Sequence, residues 1–91
     1  MTIGIDVESR EAIGPDVLGV AETVCSPAEM EQLRALPEEE RADHFLRLWT
    51  MKEAMAKAAG GTWDDTGSWW LATWQLDETH RVAVAIKNPV A

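Results

Sequence analysis

Pro37 and the pair Gly60-Gly61 bracket the segment that most constrains how this 91-residue chain can fold, because nothing between them breaks a helix. Pro37 opens the segment, Glu38, Glu39 and Glu40 occupy its first turn at the positive end of the helix dipole, and the glycines supply a C-terminal stop. Placed on a wheel at about 100° per residue, Leu48, Trp49, Met55, Ala56 and Ala59 fall within an apolar stripe roughly 100° wide. Lys52 lies near the middle of that stripe, Glu53 at one edge, and Lys57 beside it on the polar flank. Two readings of Lys52 stand open. Its methylenes can cover apolar surface while the ammonium reaches water, or it breaks the pattern because it has work to do.

A second, shorter helix precedes this one. Ser26-Pro27-Ala28-Glu29 offers an N-cap serine, a proline at the first helical position and a glutamate placed to complete a capping box, and the segment runs through Met30 and Leu33 to Leu36. Upstream, Gly14, Pro15 and Gly19 read as a loop. At the N-terminus Ile3, Ile5 and Val7 alternate with Gly4, Asp6 and Glu8, which predicts a half-buried strand. After a loop containing Trp63, Asp64, Asp65 and Gly67, the segments Trp69 to Leu76 and Arg81 to Ile86 predict a hairpin turning at Asp77-Glu78-Thr79. Val82, Val84 and Ile86 alternate with alanines, so the last strand has no polar face and belongs at the centre of a sheet or covered on both sides. The fold class is therefore α+β, a small antiparallel or mixed β-sheet with two helices packed on one face, built as a single unit over residues 1–91.

Net charge is −8, from sixteen Asp and Glu against eight Lys and Arg. Such a field repels nucleic acid and anionic membrane, and an anionic substrate would have to be held by a metal and a few local lysines. No apolar run approaches the roughly 20 residues of a membrane helix, and no charged-then-apolar leader is present, which predicts a cytoplasmic protein. The single cysteine, Cys25, has no CxxC or histidine neighbours and reads as a small structural residue. His44 and His80 read as surface histidines. Five tryptophans, at positions 49, 63, 69, 70 and 74, either fill a small core or mark a surface that needs covering.

Asp6 and Glu8 leave the same face of the first strand, with α-carbons roughly 6.5–7 Å apart. Two carboxylates at that spacing are either the solvated side of an amphipathic strand or a grip on one hard cation. Magnesium takes one or two carboxylates and completes its shell with water and phosphate oxygens, and Glu53 is the candidate third acid.

Together, Ile3-Gly4-Ile5-Asp6-Val7-Glu8 and, further on, Phe45 with Trp49-Thr50-Met51-Lys52-Glu53-Ala54, Lys57 and Gly60 resemble the paired signature of 4′-phosphopantetheinyl transferases. In that family a G-[IV]-D-[VI]-E strand precedes a helical F-x-x-x-W-[ST]-x-K-E-[AS]-x-x-K-x-x-G. The likeness is nearest to the C-terminal lobe of the two-lobed, surfactin-synthetase-activating type. It implies transfer of 4′-phosphopantetheine from coenzyme A to a serine of an acyl or peptidyl carrier protein. Asp6, Glu8 and Glu53 would hold Mg2+ on the pyrophosphate, Glu53 would also be the base for the serine, and Lys52 and Lys57 would contact coenzyme A phosphates. The resemblance further implies a homo-oligomer or a complementary N-terminal lobe as partner, since the matched residues make up one lobe. The alternative it leaves is a truncated or degenerate lobe that binds carrier protein or coenzyme A without turnover.

Overall fold

The computed structural model describes residues 1–60 and 68–88. Strand β1 (Thr2–Ser9) runs into a single 3₁₀ turn at Arg10–Ala12, where the Ser9 hydroxyl accepts the Glu11 N–H. Helix α1 (Val17–Ala21) follows in the stretch that the sequence suggests is a loop. Its start is fixed by Asp16, whose carboxylate accepts the Gly19 N–H at 3.1 Å, an N-cap that outweighs the breaking tendency of Pro15 and Gly19. Helix α2 (Pro27–Ala35) has the capping box in full: Glu29 N–H donates to Ser26 Oγ, and Ser26 N–H donates to Glu29 Oε1. Arg41, on the next helix, donates to the carbonyls of Leu33, Arg34 and Leu36, which serves the C-terminal acceptors of α2 that have no helical partner.

Helix α3 (Glu38–Ala58) is the long segment, ended by Gly60 at φ 79°, a left-handed conformation that suits glycine. The loop around Trp63, Asp64, Asp65 and Gly67 lies outside the described residues. Strands β2 (Ser68–Gln75) and β3 (His80–Asn88) form the hairpin. The sheet is antiparallel throughout with order β1-β3-β2, so the strand lacking a polar face is the central one.

Helix α3 is buried along two sides. On one, Phe45 and Leu46 join Ile13, Ala21, Met30 and Leu33 in a core shared with α1 and α2. On the other, Ala54 and Ala58 pack against Ala83 and Ala85 of β3. Small residues let helix and sheet approach closely, and Gly4 permits the closest approach. A Cβ built on Gly4 would stand 2.0 Å from the Ala54 carbonyl oxygen and 2.5 Å from the Ala58 nitrogen. Between the two cores Thr50 is fully buried, and its hydroxyl donates to the Leu46 carbonyl at 2.6 Å.

This packing decides which side of β1 faces inward, and it is the side carrying the acids. Gly4 and Asp6 lie under α3, Asp6 only 5% exposed, whereas Ile3, Ile5 and Val7 remain 55%, 57% and 49% exposed. In register with them across the sheet stand Ile86, Val84 and Val82, then Trp70, Ala72 and Trp74. The far side of the sheet is therefore an apolar surface three strands wide.

Candidate active site

Strand and helix meet where Gly4 lets α3 down onto β1. Because alternate strand residues share a face, Asp6 and Glu8 follow Gly4 onto the helix side. Ala54 and Ala58 face the strand, so their chain neighbours Glu53 and Lys57 flank the contact, one turn apart on the same edge of α3. Lys57 Nζ donates to Asp6 Oδ1 at 2.7 Å and to the Ile5 carbonyl at 3.3 Å, and so spans helix and strand.

The electrostatics show four charged groups acting on one another. The hydrogen bond to Asp6, opposed by slight desolvation and reinforced by the charges of Asp6, Glu8 and Glu53, raises the Lys57 pKa, so its ammonium is held charged. Glu8 moves the other way relative to its ionised form. Burial, then a hydrogen bond with Asp6, then the negative charges of Asp6 and Glu53, push it from 4.5 to about 7, against a smaller opposing pull from Lys57. Asp6 Oδ2 is sealed from solvent and has no hydrogen-bond partner. A buried carboxylate oxygen without a donor is costly, and so is a carboxylate crowded by two others.

Both features fit a hard divalent cation. Among the described residues no three acid, imidazole or thiol side chains converge tightly enough to form a cage by themselves. An octahedral magnesium site needs no such cage, because one or two carboxylates suffice when water and phosphate oxygens complete the shell. Asp6 and Glu8 are the pair for that role, and Glu53 is close enough to act on both Glu8 and Lys57 through its charge.

Lys52 lies elsewhere. Two residues before Ala54, it projects about 200° around α3 from the sheet contact. There its ammonium pairs with Glu29 Oε1 at 2.9 Å, the same oxygen that accepts the Ser26 N–H. Burial works against ionisation of Glu29, but the Ser26 backbone bond and Lys52 outweigh it and lower its pKa. Lys52 thus joins α3 to the capping box of α2; of the stripe around it, Trp49 packs on the core shared with α1 and α2 and Met55 beside the alanines at the sheet. His80, with its ring nitrogen 2.9 Å from Asp77 in the hairpin turn, is a surface residue as expected. His44 is half-buried, with Nε2 sealed and unpartnered.

Gly4 is the positioning residue that the alternation pattern passes over. Its signal was available, since a glycine inside a strand often marks a close backbone approach.

A small α+β fold thus brings a buried aspartate, a crowded glutamate and a strand-spanning lysine to one strand–helix contact. The family model described as the 4′-phosphopantetheinyl transferase superfamily matches residues 2–90, and the chain belongs to that superfamily. Over 58 residues, 64% of this chain, it is 38% identical to a 4′-phosphopantetheinyl transferase of Bacillus subtilis and covers 25% of that protein. Over a segment of the same length and share it is 43% identical to the 4′-phosphopantetheinyl transferase HetI of a Nostoc species, and 40% identical to the 4′-phosphopantetheinyl transferase psf-1 of Bacillus pumilus, covering 24% of each. The aligned part of the chain thus spans about a quarter of the length of these relatives. No helix among the described residues is long and apolar enough to cross a membrane.

Proposed function

We propose that this chain is one lobe of a magnesium-dependent 4′-phosphopantetheinyl transferase, of the kind found as the C-terminal half of two-lobed members, serving an acyl or peptidyl carrier protein. The observation that carries this reading is the junction of Asp6, Glu8, Glu53 and Lys57 across the β1–α3 contact, each at a position of the paired motif. The carrier serine oxygen forms a bond to the β-phosphorus of coenzyme A, the bond from that phosphorus to the bridging oxygen breaks, and 3′,5′-ADP leaves. Such a reaction depends on positioning and on neutralising charge around phosphorus.

Asp6 and Glu8 would hold the metal, which when bound neutralises the pyrophosphate and orients it. Glu53 accepts the serine proton, directly or through water, and Lys57 contributes a fixed positive charge to the phosphates. Lys52 reaches coenzyme A phosphates in this reading by exchanging Glu29 for the anion. The substrates place the protein in the cytoplasm. A second copy of the chain or a complementary lobe completes the cleft, a reading supported by the uncovered apolar side of the sheet.

Incubation with coenzyme A, Mg2+ and an apo carrier protein, followed by intact mass measurement, should show the carrier gaining the phosphopantetheine arm. Glu53→Gln should abolish that gain while the far-ultraviolet circular dichroism spectrum is unchanged, and an active Glu53→Gln protein would remove Glu53 as the base. The pairing of Lys52 with Glu29, away from the strand acids, favours a second reading, a lobe that binds without turnover. Calorimetry showing coenzyme A and Mg2+ binding with no mass gain, in the presence of any complementary lobe, would select it.

A further inference from the structure

Between α3 and β3 lies an open hollow of about 280 Å3 lined by Leu36, Glu40, Asp43, His44, Arg47 and Arg81, the last in register with Glu8 across the β1–β3 pair. We propose that this hollow binds a phosphate-sized oxyanion, gripped by the guanidiniums of Arg47 and Arg81. Arg81 is braced for such a task. Its Nε donates to Thr73 Oγ1 at 3.0 Å and one terminal nitrogen donates to Gln75 Oε1 at 3.3 Å, so the fork is oriented by neutral acceptors and its charge is not cancelled. Among the described residues neither Arg47 nor Arg81 has a carboxylate within ion-pair distance. The two cations act on each other: burial first, and then the charge of Arg47, lower the Arg81 pKa. Two unneutralised guanidiniums facing one hollow are a repulsive arrangement that an anion relieves, and planar forks match phosphate oxygens two at a time.

The acids in the same wall do not fill that role. Asp43 is paired with Arg10. Glu40 lies seven residues before Arg47, about 10 Å away along the helix axis, which leaves the hollow acidic at one end and basic at the other. His44 completes the wall, with its Nε2 sealed from solvent and so out of an entering anion's reach. The site is separate from the transferase reading and does not depend on it.

The test is titration of the protein with inorganic phosphate, and in a second arm with phosphoserine, at constant ionic strength set by chloride. It is read by thermal unfolding and by the side-chain Nε–Hε signals of the arginines in 15N spectra. Saturable stabilisation is expected, with shifts at Arg47 and Arg81. The tighter of the two ligands tells whether the site is built for free phosphate or for a phosphate ester. Arg47 is exposed and glutamine is a good helix former, so Arg47→Gln should fold and bind at least about tenfold more weakly. Arg34→Gln, a control of equal charge change on α2, should bind as the parent does. A response undiminished in Arg47→Gln would place the anion elsewhere and overturn the proposal. So would the absence of any saturable response to either ligand.

Discussion

At the scale of single residues, Glu8 is the group whose titration is displaced furthest from its ordinary range among the described residues. Its folded pKa of about 7 lies above its ordinary 4.5, so between those values the folded chain holds a proton that the unfolded chain has released. Stability therefore falls as pH rises through that window, and the penalty for ionising Glu8 is fully present above pH 7. Glu8→Gln removes the titration. Its urea midpoint should exceed the parent's at pH 8, the two should converge near pH 4.5, and a parallel pH dependence in both proteins would show that Glu8 is not the source. Asp6 and Glu8 were legible as a pair from their spacing on a strand, and Glu53 and Lys57 from the helical motif. What spacing could not reveal is that the pair faces inward. An alternating strand reads with its isoleucines buried, and here the isoleucines are the exposed side because a helix bearing alanines covers the other.

At the scale of elements, the contact between β1 and α3 is the joint on which the site depends, and Gly4 sets its spacing. A methyl group at Gly4 would collide with helix backbone, which cannot swing aside as a flexible side chain can. Gly4→Ala should therefore destabilise the fold by roughly 1–3 kcal/mol, the usual range for overpacking. It should also push Lys57 away from Asp6. Urea denaturation reads the first effect, and a faster Lys57 ammonium proton exchange by NMR reads the second; a protein unchanged in both would mean that the helix does not rest on the glycine. Helix ends were readable because their determinants are local: the Ser26 capping box, Pro37 and Gly60 all act within one turn. Helix α1 was hidden because glycine and proline dominate its surroundings, and only the Asp16 cap speaks for it.

At the scale of the whole molecule, the sheet has one covered side and one open side. The open side carries Ile3, Ile5 and Val7 beside Trp70 and Trp74, the two tryptophans 55% and 46% exposed. Contiguous apolar surface of this kind favours association. Sedimentation velocity should show self-association of the chain that Ile5→Lys, at the middle of the open side, weakens or abolishes, with no loss of secondary structure. An Ile5→Lys protein that associates as the parent does would exclude the sheet from the interface. The sequence count of tryptophans left core and interface equally open, and the structure divides them. Trp49 stacks on Phe45 with ring centroids 6.1 Å apart and Trp69 packs under α3, while Trp70 and Trp74 face outward.

By itself the sequence determined the elements with local signals and the family, because caps, breakers, alternation and a spaced motif are properties of neighbouring residues. Only the tertiary structure decided which face of each element is covered. Burial of β1 on its acidic side, the pairing of Lys52 with Glu29 rather than with the strand acids, and the meeting of Arg47 with Arg81 each depend on residues far apart in the chain. The close approach that Gly4 permits fixes how α3 lies on the sheet, and with it which charges come within reach of one another.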